Sequence, residues 1–288
     1  MATFRLFRGS AAFVFGITVV AGSAIAMIVL ALLERIIPFV YQAPSRLRRA
    51  PAAAGWLFWN IVGRFALGAR GECSGNIPSA EEGEVRILIA NHPSMIGAMF
   101  FLAFVSKFVS TQLVWIGKSE HLWNPFIGWP LWLIDGAIFI YRAAREQALA
   151  AIGLKVPFAA AQGAVIGIFP DSSRPTSSAI AKNHARHAAR GVDVSQFPHT
   201  LVPSSGGVAE ILDGVRGRKV IIINVTAGFN RPDTRYGDIF GLVGSTYFFH
   251  VEVLENFPAG LDERRAALIA LWVEKNQRLC HWKQSGFL

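Results

Sequence analysis

Cysteine is almost absent: Cys73 and Cys280 are the only two in 288 residues. They stand far apart and without CxxC spacing, which excludes a disulfide framework and a thiolate metal site and leaves two reduced thiols. Charged residues are scarce as well, 16% against 52% hydrophobic, an apolar balance for a soluble domain. No internal repeat or low-complexity tract is present. Acidic residues are rarest near the start. Residues 1–70 hold eight arginines against one glutamate, a net of +7, and residues 71–288 hold 20 basic against 18 acidic side chains, a net of +2. The pI near 10.1 therefore describes a basic collar at one end of the chain. No nucleic-acid motif follows that collar, so nucleic acid is discounted as a partner.

Long hydrophobic runs are concentrated in the same place. Residues 12–33, "AFVFGITVVAGSAIAMIVLALL", contain no charge. As a helix they would reach roughly 33 Å, enough for a hydrocarbon core of about 30 Å. A cleaved signal peptide is the rival reading, with Arg5 and Arg8 as its basic end and Ala24-Ile25-Ala26 as its cleavage site. The apolar run continues past that site, where a mature secreted chain would turn polar, so an uncleaved anchor is expected. Arg35, Arg46, Arg48 and Arg49 follow the run and outweigh Arg5 and Arg8 before it. By the positive-inside rule this predicts a single N-terminal span with the main domain on the cytoplasmic side, the inner membrane if the cell is bacterial. Arginines so placed would also hold anionic membrane lipids.

Residues 51–69, "PAAAGWLFWNIVGRFALGA", are interrupted by Asn60 and Arg64. They read either as an interfacial segment, with Trp56, Phe58 and Trp59 at headgroup depth, or as a helix packed on the main domain. The polar stretch 71–84, "GECSGNIPSAEEGE", reads as a loop and the domain boundary. Residues 1–70 are then a membrane anchor and residues 71–288 a second, α/β domain. Strands are predicted at 85–90, 112–117, 136–141, 164–170, 218–227 and 247–255, with helices at about 94–108, 145–162 and 261–280. This alternation predicts an α/β fold, a mixed and mostly parallel sheet flanked by helices.

In such sheets ligands gather beyond the carboxyl ends of strands. There the sequence places Asn91-His92-Pro93-Ser94 after the first strand and Arg142 after the third. Pro170-Asp171-Ser172-Ser173-Arg174-Pro175 follows the fourth, and the turn "LVPSSGGVAEIL" (201–212) opens a later helix. One imidazole, two guanidiniums, one carboxylate and a Gly-rich helix start suit a phosphate ester and a proton transfer. Each also has a plainer reading. His92 could be structural, Arg142 and Arg174 rim ion pairs, and "PDSSRP" a simple turn. His184 and His187 have metal-pair spacing but no third ligand in view, and read as a solvated basic face. Asn224-Val225-Thr226 matches a glycosylation acceptor but falls in a predicted buried strand. Neither Ser172 nor Ser204 sits in a Gly-x-Ser-x-Gly elbow, which weakens a serine hydrolase.

The order of these motifs resembles the glycerolipid acyltransferase family, which acylates lysophosphatidic acid and related lysophospholipids. The likeness runs through Asn91-His92, "VWIGKSEHLWNPFIGWPLWLIDGAIFIYR" (114–142), "IFPDSSRP" (168–175) and "HTLVPSSGG" (199–207), and covers about Val85 to the C-terminus. The resemblance implies that His92 is the base that takes the proton from the lysolipid hydroxyl. It implies that Arg142 and Arg174 hold the acceptor phosphate, with Lys118 adding to them. Asp171, Ser172, Ser173 and Pro203 would shape that pocket. It implies a thioester co-substrate, acyl-CoA or acyl-carrier protein, and neither metal nor cofactor. Two positions depart from the family. Its pattern of His, four residues, then Asp meets Gly97, and its Phe-Pro-Glu-Gly-Thr-Arg is here Phe-Pro-Asp-Ser-Ser-Arg. An active enzyme would then use another acid, Asp135 or Asp171, or run without one. The alternative is a catalytically impaired relative that binds lipid at the membrane.

Overall fold

The structure is a computed structural model, and it describes residues 2–36, 47, 49–92, 97–109, 112–231 and 236–288. Seven strands form one sheet in the order β1-β7-β6-β2-β5-β3-β4. They are β1 (Arg70–Ser74), β2 (Val85–Ala90), β3 (Leu113–Lys118), β4 (Ala137–Ile140), β5 (Val165–Ile168), β6 (Val220–Phe229) and β7 (Thr246–Leu254). Every neighbouring pair is parallel except β6 with β7. The expected mixed, mostly parallel sheet is what forms.

β2 explains why the centre reads as an apolar run broken only by Arg86. All six of its residues are buried, with Leu88 and Ala90 in one core cluster and Val85, Ile87 and Ile89 in the other. A strand covered on both faces has no polar side to show. The first cluster lies under α1 (Ala2–Ile36), α2 (Ala50–Phe58, continued by wider π-helical turns over Trp59–Leu67) and α3 (Gly97–Phe108). The second lies under α5 (Arg145–Ala161), α7 (Gly206–Gly214) and α8 (Leu261–Gln284). Two further helices among the described residues are α4 (Gly128–Leu133) and α6 (Ser177–Ala188).

One expectation changes, and one lies beyond what the structure describes. The polar stretch expected as a loop carries the edge strand β1, which pairs with β7 from Arg70↔Thr246 to Ser74↔His250. All five β1 residues are exposed, so no alternation marks them. The expected start of α3 near Ser94 lies outside the described residues, as do Arg46 and Arg48.

The packed-helix reading of the 51–69 segment holds for one face of α2, and Phe58, expected at headgroup depth, is buried there. Val62 joins it in the first cluster, and Trp59 meets Phe100 edge-on at 4.8 Å. Trp56 and Phe65 face outward. Gly55 allows the contact, because a Cβ there would lie 2.7 Å from Leu102 Cβ.

α1 contains a stretch, Thr3–Glu34, long and apolar enough to cross a membrane. It also packs along the fold. Near its start Arg8 donates from Nε to Ala66 O at 2.7 Å and from Nη2 to Phe65 O at 2.7 Å. Near its end Met27 and Ala31 pack with Ile134. Ile28 lines an open apolar groove of about 360 Å³ with Leu122, Trp123, Trp129, Trp132 and Leu133.

Candidate active site at the carboxyl ends of β2 and β5

The sheet order fixes where a site can form. The chain leaves β2 for β3 on one side, and leaves β5 for β6 on the other, although β2 and β5 are neighbours. A crevice opens where connections diverge in this way, beyond the strand carboxyl ends. His92 follows β2, and the Pro170–Arg174 turn follows β5. Lys118 ends β3 and Arg142 stands two residues beyond β4. These four strand ends are consecutive in space.

Asn91, immediately before the histidine, holds the frame. Its side chain is buried, donating from Nδ2 to Ala227 O at 2.8 Å and accepting from Ala227 N at 2.8 Å through Oδ1. This two-way bond continues the β2–β6 ladder one step past its last backbone pair, Ala90↔Val225. His92 therefore leaves a rigid edge. Its half-buried ring lies 4.8 Å from the Phe169 ring at 33°, and Phe169 stacks on Trp115 at 5.0 Å and 12°.

Asp171 is the acid that reaches His92, but it reaches the main chain. Its Oδ2 accepts the His92 backbone N–H at 2.6 Å, and among the described residues Oδ1 has no hydrogen-bond partner. The residue is 3% exposed. Burial pushes its carboxyl well above the usual carboxylate range, opposed by the His92 N–H, Lys275 and Arg142. Asp135, the other acid considered, is in the wrong place for this role. It precedes β4, whereas His92 follows β2, so in parallel strands they occupy opposite ends of the sheet.

The turn after β5 is tightly bonded. Ser172 N donates to Phe169 O at 2.9 Å, Ser173 N to Asp171 O at 2.8 Å and Ser204 N to Pro170 O at 2.8 Å. Ser204 follows Pro203, so the Pro203 turn braces the Pro170 turn, and the Ser204 donor is not aimed at an anion. Gly207 is needed here, since a Cβ would lie 2.8 Å from Ile168 Cδ1.

Ser172 adopts φ +66°, in the left-handed region where a Cβ costs roughly 1–2 kcal/mol. This is where the family pattern has glycine. Ser172→Gly should raise unfolding free energy by about 1 kcal/mol, part of the gain being offset by the extra freedom of unfolded glycine. Chemical denaturation of the two proteins measures it, and a destabilised glycine variant would show that the Ser172 hydroxyl, 3.4 Å from Pro170 O, outweighs the strain.

Lys118, Arg142 and Arg174 share one electrostatic neighbourhood with Glu120 and His121 of the 3₁₀ turn Ser119–Trp123. Burial lowers the Lys118 ammonium, Arg142 and Arg174 lower it further, and Glu120 opposes them. His121 is held below its ordinary value by burial and then by Lys118, with Arg142 and Arg174 adding to the effect. Among the described residues these three cations face Glu120 and, at Arg142, Asp171, and their excess of positive charge suits an anion. Glu120 and His121 were not singled out in the sequence, although "KSEHL" places both within three residues of Lys118.

The histidine and the cation cluster thus stand at neighbouring strand ends at the switch point of an α/β sheet. Residues 72–211 match the family model described as Acyltransferase, so this stretch carries an acyltransferase-family domain. Among solved structures the chain is similar to the 1-acyl-sn-glycerophosphate (LPA) acyltransferase PlsC from Thermotoga maritima. The TM-score is 0.59 at 15% identity, covering 96% of this chain and 97% of that one. No curated protein matches the sequence.

Proposed function

We propose that the protein is a membrane-bound O-acyltransferase that moves a fatty acyl group from an acyl thioester to the free hydroxyl of a lysophospholipid such as lysophosphatidic acid. The observation that carries this reading is the shared crevice: His92 and the Asp171–Arg174 turn flank neighbouring strand ends. The Acyltransferase match over residues 72–211 supports the reaction class.

In this reaction a His92 ring nitrogen accepts the proton of the acceptor hydroxyl as its oxygen attacks the thioester carbonyl. The tetrahedral intermediate collapses by breaking the carbon–sulfur bond, and the departing thiolate takes the proton from the imidazolium. The products are an ester and a free thiol. Lys118, Arg142 and Arg174 hold the acceptor phosphate, and Asp171 fixes the backbone from which His92 projects. The donor is acyl-CoA or acyl-carrier protein, with no metal or further cofactor in the sequence of steps. Membrane lipids are the partners. The apolar α1, with one face packed on the fold and the other exposed, supports binding to a bilayer, and the excess of arginines after it favours the cytoplasmic side for the main domain. The exposed Trp123, Trp129 and Trp132 beside α1 suit the depth where lipid meets water.

Gly97 at the start of α3 favours one alternative, a catalytically impaired relative that binds lipid without turnover. The assay is thiol release by detergent-solubilised protein given lysophosphatidate with acyl-CoA or acyl-carrier protein. Turnover by the unaltered chain that requires both substrates is expected. An inert chain in which Gly97→Asp restores turnover would establish the impaired alternative instead.

A further inference from the structure

A second line of polar side chains crosses the β1 edge of the sheet, and β6 separates it from the strand that carries His92. Ser74 ends β1 opposite His250 of β7, and its Oγ lies 2.8 Å from His250 Nδ1. On the far side of the ring, His250 Nε2 lies 3.4 Å from Glu252 Oε1. Residues 250 and 252 share one face of β7, because strand side chains alternate. The carboxylate is itself fixed. Asn224 Nδ2 donates to its Oε2 at 2.9 Å and Arg278 Nη2 to its Oε1, while Arg278 Nη1 donates to Thr226 Oγ1 at 3.0 Å. Asn224 and Thr226 are the β6 residues in register with Glu252 and His250, so the strand ladder sets the whole row.

Proton positions follow from charge. Burial works against the Glu252 anion, but Arg278, then Asn224 and His250, outweigh it and hold the carboxyl below its usual range. An ionised carboxylate only accepts, so the Nε2 of the ring carries the hydrogen. The imidazole is kept neutral by burial, with Arg278 and Lys275 of α8 adding to the effect and Glu252 opposing it. A neutral ring protonated at Nε2 leaves Nδ1 as an acceptor, and the Ser74 hydroxyl must then donate to it. Acid, imidazole and serine in that order are the arrangement that activates a hydroxyl nucleophile.

The serine is also accessible. It is exposed, and the His250 and Glu252 side chains are 26% and 27% exposed, so a small substrate can reach all three. Gly75 follows at φ +95°, and a Cβ there would collide with Val251 O, so only glycine can turn the chain off the sheet at this point. Among the described residues no hydrogen bond takes the Gly75 N–H. A nucleophile on a sharp turn at a strand end, with the next N–H available to an oxyanion, is how hydrolases of another fold expose theirs. Phe248, two residues before His250, contacts Trp282 at 5.8 Å and the exposed Phe287 at 5.4 Å, which lays an apolar floor on the same face. Cys73-Ser74-Gly75 matches no Gly-x-Ser-x-Gly elbow, so only the fold reveals the arrangement.

We propose that Ser74, His250 and Glu252 form a second catalytic centre, a serine esterase that hydrolyses short acyl esters independently of His92. The Ser74 oxygen bonds to the acyl carbonyl carbon as its proton passes to His250 Nδ1. The ester carbon–oxygen bond breaks, and the departing alcohol takes that proton. Water then attacks the serine ester, giving its proton to the same nitrogen, and release of the carboxylic acid returns the proton to Ser74. Glu252 stabilises the imidazolium formed in each half. None of this depends on the acyltransferase reading.

The test uses the full chain in detergent with two probes, p-nitrophenyl acetate and a biotinylated fluorophosphonate. The phosphonate should lose fluoride to Ser74, with the adduct located by peptide mass spectrometry, and Ser74→Ala should abolish both labelling and ester hydrolysis. His250→Asn keeps a hydrogen-bonding group near the serine but supplies no base, and should slow labelling about 10²–10⁴-fold. The unaltered chain should label faster as pH rises and level off by about pH 7, since the imidazole titrates below its ordinary value. Ser74→Ala removes one exposed hydroxyl and keeps the fold, so the result stands even if His250→Asn does not fold. An adduct on another residue, hydrolysis that persists in Ser74→Ala, or labelling indifferent to His250→Asn overturns the proposal. So does ester hydrolysis that vanishes in His92→Ala, because the activity would then belong to the crevice.

Discussion

Replacing His92 by alanine is expected to lower thioester-dependent acylation of a lysophospholipid about 10²–10⁴-fold, the usual contribution of a positioned general base. The fold should survive the change. The bond that ties residue 92 to Asp171 uses the backbone N–H, which alanine retains, and the ring is half-buried beside Phe169. The loss should therefore appear in kcat with little change in thermal midpoint. Parallel measurement of thiol release and thermal unfolding checks both halves. If the alanine variant turns over at the rate of the unaltered chain, the base lies elsewhere and the site must be reassigned.

The second large effect concerns the acceptor phosphate. Arg142→Ala and Arg174→Ala should each raise KM for lysophosphatidate about 10–100-fold, since hydrogen bonds to charged groups are worth about 1.5–3 kcal/mol. Monoacylglycerol, which lacks the phosphate, should show no such rise, and that contrast separates headgroup recognition from general damage. The two losses should fall short of additivity because both side chains act on one anion. Lysine at either position should recover the charge but not the planar fork, and so only part of the affinity. Equal losses for both acceptors would show that these arginines brace the fold and do not bind phosphate.

The sequence was legible where burial alone sets the pattern. β2 through β7 each carry a short apolar run bounded by turn residues, and the six predicted strands lie within two residues of the observed ends. β1 was not legible, because an exposed edge strand reading Arg-Gly-Glu-Cys-Ser has no apolar face to betray it. The candidate site was legible in outline, since polar residues at strand ends in a parallel sheet converge by topology. Its inner details were not. Asp135 and Asp171 are equally plausible acids by composition, and only the direction of β4 removes the first. That Asp171 bonds the main chain of His92 depends on the Pro170 turn, which no spacing encodes. Lys275 and Asn276 sit in "WVEKNQR", where a helical reading would send the lysine to solvent. Packing of α8 on β6 buries both.

Asn91 draws its two partners from Ala227. Ala227 lies beyond the last residue of the stretch that carries the family signature, 72–211. A minimal fragment trimmed to that signature would keep every side chain assigned to acyl transfer and headgroup binding. It would lose the neighbouring rung of β6. The reactive end of this molecule is assembled from the signature stretch and the chain that follows it, and excising that stretch would leave the histidine without the strand its neighbour grips.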